Sequence, residues 1–421
     1  MSMTVLKKFE KNVCRFLKIE LKKRRFNLIL IGEKMTIKKN SAQFVFVFLG
    51  MLTAFGPFVT DMYLPSLPAM QTYFSTGVSM VQMGLTFSML GLALGQLVFG
   101  PLSDRFGRRP PLIASMLLFV VATLLCIFAP NIETFVGLRL LQGIAASGGI
   151  VISRSIATDK FKTKNLAKAL AIIGAINGIA PIAAPVLGGM IVKSVGWQGI
   201  FVILLFIGCA LLGCCLVFRE SLSTQRRSSA KLKQIFSNFR KVLKNKKYLY
   251  YTLEQSFALA ILFAYIASSP FIIQNHYGFS AFAFSLFFGA NATAIAVGAA
   301  AAARFASPQK AIKISVLGIN ICCLGLMLTM PFGVSIIVFE ALLFGLSFML
   351  GMSFTVATAV AMDSARSQAG TASALLGAFG FLFGSIVSPL VGLGNIMVST
   401  GIVLVICAVL TAVAAYKGQK Y

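Results

Sequence analysis

Apolar stretches of about 20 residues recur along this chain, and each is long enough to cross a hydrocarbon core about 30 Å thick as a helix. They fall approximately at 43–66, 79–101, 111–129, 133–157, 166–192, 197–218, 248–274, 280–303, 311–330, 333–361, 369–392 and 395–416, twelve in all. No water is available inside such a core, so each backbone polar group must be satisfied within its own segment, and helices are the form that does this. Of the 421 residues, 58% are hydrophobic and 12% charged, a composition that excludes a water-soluble enzyme. The expectation is an all-α integral membrane protein with twelve transmembrane helices.

The one long polar gap, 219–247, splits the spans six and six. The expected division is therefore a basic N-terminal extension (1–42), a six-helix bundle (43–218), a basic linker (219–247), a second six-helix bundle (248–416) and a short tail (417–421). Two pseudo-symmetric halves of this kind are how many secondary transporters are built, with the substrate site near the midplane between them.

The charge is lopsided, with 38 Lys and Arg against 11 Asp and Glu. Alone, the resulting +27 would suit nucleic acid or a membrane surface. Its placement decides: with the N-terminus taken as cytoplasmic, 35 of the 38 basic residues fall in segments on that side, while Lys193 lies outside and Arg139 and Arg154 lie in the fourth span. Positive charge is retained in the cytoplasm, so both termini are expected there and nucleic acid is not expected as a partner. Within 1–42, Phe9, Val13, Phe16, Leu17 and Leu21 have helical spacing suited to anionic lipid. Met35 stands as an alternative start, which would lower the net charge by seven, because residues 1–34 hold ten Lys or Arg and three Glu. The linker repeats the amphipathic pattern through Leu232, Ile235, Phe236, Phe239, Val242 and Leu243, which predicts a surface helix along the inner leaflet.

Eight cysteines and the single histidine, His276, do not form a metal-ligand spacing. Seven of the cysteines sit in apolar runs and read as packing residues, so no metal and no cofactor is expected. No phosphate-cradling loop is present either, which counts against ATP as the drive.

Between the second and third spans, Gly100, Leu102, Asp104, Arg105, Gly107, Arg108 and Arg109 match the pattern G-x-L-x-D-R-x-G-R-R at every defining position. This resembles the signature loop of the major facilitator superfamily. Gly100 and Gly107 are expected to permit close helix approach and a tight turn, and the arginines to pair with carboxylates or lipid phosphate. The resemblance implies that the loop latches the cytoplasmic side; the topology places Asp159 and Arg154 on the same side as Arg108, as further candidates for gate pairs. In the fourth span, Arg139, Gln142 and Gly143 match the superfamily's arginine motif. In the fifth, Gly174, Gly178, Pro181, Pro185, Gly188 and Gly189 resemble the helix-packing motif of drug:proton antiporters, though the usual Gly-Pro pair is separated here.

Phe55-Gly-Pro57 through Asp61, Tyr63 and Pro65 in the first span, Phe263 to Phe271 in the seventh, and Ala369 to Gly377 in the eleventh are similar to the Bcr/CflA branch of bicyclomycin and chloramphenicol resistance exporters. The tenth span departs from that branch: Ser353-Phe354-Thr355-Val356 stands where the branch tends to carry a Pro-Asn pair. The resemblance covers 43 to about 416 and implies a major facilitator fold.

An ionisable group in a spanning helix costs about 2.5–3.5 kcal/mol at mid-bilayer, so each one needs a partner, a cavity or a job. Asp61 and Arg139 lie at comparable depth and are expected to attract one another. A carboxyl so placed can be switched between charged and neutral, which makes Asp61 the first candidate for proton coupling, with Arg139 as its counter-charge. Glu254 and Glu340 are the alternative acids. Resemblance and chemistry together nominate Tyr63, Gln142, Tyr265, Ser268 and Asn291 as substrate-binding residues, with apolar walls suited to promiscuous amphipathic ligands. The expected protein is a monomeric, multi-pass, proton-coupled antiporter in the bacterial inner membrane, contacting lipid and exporting small amphipathic compounds or drugs. A dedicated exporter of one endogenous metabolite, such as a siderophore or amino-acid derivative, is the alternative, ahead of an importer or a non-transporting sensor. An enzyme is not expected.

Overall fold

Each apolar stretch folds as a helix, and polar caps mark where several begin: the side chains of Asn131, Asn245, Ser280 and Asn395 accept from backbone N–H groups of the first turn. The computed structural model describes residues 41–161, 163–227, 232–305 and 307–421. The N-terminal amphipathic pattern lies outside them. In order, the helices are α1 (Ala42–Asp61), α2 (Val78–Phe106), α3 (Arg109–Ile127), α4 (Ile132–Lys160), a continuous helical element Thr163–Val217, α7 (Lys246–Phe271), α8 (Ala281–Ala302), α9 (Pro308–Thr329), α10 (Ile336–Ser364), α11 (Ala369–Leu390) and α12 (Ile396–Gly418). Among the described residues there is no strand.

The 55-residue element Thr163–Val217 is two helices. Gly196, at φ 72° and ψ −172°, breaks it, a backbone conformation that only glycine adopts freely. Gly188 packs on the backbone of Met62, while the Phe201 ring lies 6.1 Å from that of Tyr63, so residues on either side of Gly196 return to the same level and the chain reverses there. The two arms are α5 (163–195) and α6 (197–217). Eleven helices among the described residues are long and apolar enough to cross a membrane, and with this one counted as two passes the spans number twelve. The first span ends earlier than the sequence suggests, at Asp61, because Pro65 and Pro68 cannot continue a regular helix and begin short helices at Leu64–Ser66 and Leu67–Tyr73.

The halves repeat one packing device. Gly143 of α4 abuts the carbonyl of Ser88 in α2, and Gly351 of α10 abuts the carbonyl of Ile295 in α8, each too close to admit a side chain. Small residues let helix backbones touch where lipid offers no hydrophobic drive for association. The bundles meet along α2–α11 and α5–α8. Four side-chain hydrogen bonds stitch that seam on the half remote from the 100–112 loop: Gln82 to Ala267 O at 3.0 Å, Ser79 to Pro389 O at 3.2 Å, Gln274 to Pro65 O at 3.1 Å, and Ser285 to Pro185 O at 2.8 Å. That half is the far end, and the opposite one the loop end.

The linker forms a helix, Leu232–Leu243, at the loop end. Its environment differs from the expectation of a helix laid on lipid. Val242 is buried, and Phe239 and Leu243 pack with it against a cluster containing Tyr248, Tyr251 and Leu375. The part of the apolar face formed by Phe239, Val242 and Leu243 is covered by the second bundle, whose loop end offers a nearer apolar partner than the bilayer does.

Candidate functional site

Between the bundles lies a cavity of about 390 Å³. α1 contributes Thr53, Thr60 and Asp61, α2 Gln96, α4 Arg154, α5 Pro181, α7 Phe263 and Tyr265, α8 Phe288, α10 Phe354 and α11 Phe381. Its walls are aromatic and aliphatic with few polar anchors, a lining suited to orienting a small amphipath.

Asp61 lies in this wall, 6% exposed. It does not pair with Arg139. Among the described residues the ion pairs are Arg108–Asp104, Arg108–Asp159 and Arg366–Asp363. The Arg139 guanidinium instead donates to Val59 O at 3.0 Å, to Gly84 O at 3.4 Å and to Gln142 Oε1. It also lies over the Tyr63 ring at 4.3 Å and near that of Phe201 at 5.7 Å. The cause is local: α1 stops at Asp61, so the carbonyls of its last turn lack helical partners, and a buried arginine satisfies one of them. The cation therefore braces the first bundle from within and leaves Asp61 free to face the cavity.

The other nominated residues divide. Tyr265 lines the cavity, and Asn291 stands directly behind it, its Nδ2 donating to Tyr265 Oη at 3.1 Å and to Glu340 Oε2 at 2.9 Å. Asn291 Oδ1 and Glu340 Oε1 are buried without partners. Three nominees sit away from the lining. Gln142 is wholly buried, receiving Arg139 and donating to Thr123 at 2.7 Å; Tyr63 lies under the guanidinium with an unpartnered hydroxyl; and Ser268 bonds back to Ala264 O at 2.8 Å within its own helix. Glu254 is fully buried between α7 and α10, where Ser353 donates to one oxygen and the other has no partner. Ser353 thus occupies the position at which the chain departs from its branch.

At the loop end, Arg108 binds Asp159 at 2.8 Å, Ser103 at 2.9 Å and Asp104. Burial works against its charge, but the carboxylates of Asp159 and Asp104 more than offset this and hold its pKa above the ordinary value. Arg109 donates through Nη2 to Leu216 O at 2.7 Å, and Arg105 is exposed beside the Phe106 ring. Gly107 has φ 93°, and a Cβ there would lie 2.5 Å from Glu220 Oε2. Gly100, in contrast, has ordinary room, with Val151 at 3.5 Å, so close approach does not require glycine there. In α5, Gly189 abuts α8 beside Ser285 and Ala281, Pro181 lines the cavity, and the surroundings of Gly174 and Gly178 lie outside the described side chains.

Two features went unforeseen. Glu220 accepts from the backbone N–H groups of Arg108 at 2.8 Å, Arg109 at 3.0 Å, Ser221 at 2.9 Å and Leu222 at 3.0 Å. Burial alone would push its pKa up, but the four donors outweigh this and bring it below the ordinary value. Arg154, expected at the gate, lines the cavity instead, because α4 runs on to Lys160 and leaves it well inside the helix.

The sequence profile of the Major Facilitator Superfamily matches residues 47–389. The chain is 36% identical over 381 residues to YdgK of Bacillus subtilis, an uncharacterized MFS-type transporter, covering 88% of this chain and 94% of the relative. It is 29% identical over 362 residues to a bicyclomycin resistance protein homolog of Haemophilus influenzae, covering 84% and 90%, and 27% identical over 376 residues to multidrug resistance protein D of Escherichia coli, covering 85% and 93%. In fold it is similar to an inward-facing bacterial homolog of the human lysosomal transporter Spinster (TM-score 0.72, 18% identity, 91% of this chain and 98% of that one). It also resembles the partially occluded, inward-open xylose transporter XylE of Escherichia coli (TM-score 0.69, 14% identity, 90% and 97%). With a family profile over most of its length and a near full-length relative at 36% identity, the chain belongs to the major facilitator superfamily of membrane transporters.

Proposed function

We propose that the chain is a proton-coupled antiporter that exports small amphipathic compounds across the bacterial inner membrane by alternating access, as a monomer with both termini cytoplasmic. One observation carries this reading: Asp61 presents a carboxylate to a largely apolar cavity without an arginine partner. Ionised, it attracts a substrate's donor group or a proton, and each displaces the other, which is the elementary requirement of antiport. The four far-end hydrogen bonds belong to the state closed on that side and must break for the cavity to open there. Names of relatives that speak of bicyclomycin and multidrug resistance support drug-like cargo and export. The placement of 35 of the 38 Lys and Arg in segments that this topology assigns to the loop end supports a cytoplasmic loop end.

The test is uptake of a panel of amphipathic drugs, chloramphenicol included, into inverted membrane vesicles with and without an imposed pH gradient. Gradient-dependent uptake that Asp61→Asn abolishes, with the variant still present in the membrane, is expected. Uptake that ignores the gradient would overturn the proposal, as would an unimpaired Asp61→Asn variant.

A further inference from the structure

The cavity wall carries a second formal charge. Arg154 lines it, is exposed, and makes no ion pair among the described residues. Residues 162–178, in and just before α5, contain no Asp or Glu that could serve as its partner.

Its distance from Asp61 follows from helix geometry. Thr53 of α1 bonds Ser153 of α4 at 3.2 Å, so Arg154 is level with Thr53. Asp61 lies eight residues further along α1, which at the α-helical rise is roughly 12 Å toward the far end. The two residues are therefore anchored at different levels of the cavity wall. The same wall carries the aromatic side chains of Phe263, Phe288, Phe354 and Phe381.

A lone amine would satisfy Asp61 and leave the guanidinium with water alone, whereas an anion would do the reverse. A ligand with opposite charges at its two ends and an aromatic middle matches all three zones, and a carboxylate can take two parallel N–H donors from one arginine. We propose that the cavity binds elongated zwitterionic amphipaths, with Arg154 holding the carboxylate and Asp61 the amine. This rests on the cavity being the substrate site proposed above and adds the chemical class of its ligand.

The full chain, purified in detergent, is titrated calorimetrically with a biphenyl that carries an aminomethyl group para at one end and a carboxylic acid para at the other, and with the methyl ester of that acid. The acid should bind about tenfold more tightly than the ester, the scale of one charge-assisted contact. Arg154→Gln should erase that preference, and Arg154→Lys, which keeps the charge without the fork, should retain part of it. Equal binding of acid and ester by the unaltered chain overturns the proposal. So does a preference that survives Arg154→Gln, or failure of both compounds to bind a monodisperse sample.

Movement of the same two compounds is followed in proteoliposomes under a pH gradient. A preference for the acid without gradient-driven movement would leave the ligand class standing and sink antiport. Gradient-driven movement without the preference would do the opposite.

Discussion

The guanidinium of Arg139 lies 4.3 Å from the centre of the Tyr63 ring and binds three acceptors, all neutral, two of them backbone carbonyls on neighbouring helices. A buried cation held by dipoles and aromatic faces depends on the planar fork, which a lysine ammonium cannot reproduce. Arg139→Lys should therefore lose about 2 kcal/mol or more, the scale of a charge-assisted hydrogen bond left unmade. The measurement is thermal unfolding of the purified chain in detergent, where a drop of several degrees is expected. A variant as stable as the original would show that charge alone suffices.

Glu220 ties the first residues of α3 to the end of the first bundle, through four backbone donors. Glu220→Gln keeps a carbonyl oxygen but turns an NH₂ toward backbone donors, so a loss of about 1–2 kcal/mol is expected. Because the folded pKa lies below the ordinary 4.5, the clamp is fully present above that value and disappears as pH falls through the folded one. Melting temperatures of the two proteins should differ at neutral pH and converge in acid below that range.

Gly107 should resist replacement for two separate reasons. Its φ of 93° strains any side chain, and a Cβ meets Glu220. Gly107→Ala should cost about 1–2 kcal/mol from the backbone alone, plus whatever displacing the carboxylate adds. In a Glu220→Ala background the second part vanishes. The loss should then shrink without disappearing, which a double-mutant cycle on unfolding reads directly.

The sequence made the spans legible because each pass writes itself as an unbroken apolar run. The reversal at Gly196 was equally visible as the short break between the fifth and sixth runs. The signature loop was legible through its fixed spacing. Glu220 was not, since it meets Arg108 across 112 positions and a single glutamate after a span carries no periodic signal. Arg154 misled for a related reason: hydropathy fades near 157, but α4 continues to Lys160, so a residue that looked like a helix end faces the cavity. Asp61 and Arg139 were expected at similar depth, and Arg139 reaches Val59 O, two residues from Asp61. Depth, however, does not give direction around the helix, and the free carbonyls at the end of α1 drew the arginine away.

Gly189 places α5 against α8 at the far end, where a Cβ would lie 2.8 Å from Ala281 O. Gly189→Val should wedge that seam and weaken the neighbouring Ser285 bond to Pro185 O, favouring the state open on the far side. Spin labels at Ser75 and the exposed Asn275, introduced after the native cysteines are replaced, should report a longer and broader distance distribution in the variant. An unchanged distribution would mean that this contact does not hold the seam.

Tyr265, Asn291 and Glu340 form a chain from the cavity into the second bundle, and Asn291 is its only shared member. Glu340 Oε1 lacks a partner, so among the described residues the Asn291 amide is the one donor this carboxylate receives, at Oε2. Asn291→Ala leaves that carboxylate without it and should cost about 1–3 kcal/mol or more. Glu340→Gln keeps an acceptor for the same donor and removes the charge, so its cost should be smaller. If the penalty of Asn291→Ala comes from the stranded carboxylate, the double variant should be more stable than the sum of the two single losses predicts. Additive losses in unfolding measurements would show that Asn291 stabilises the bundle through packing rather than through Glu340.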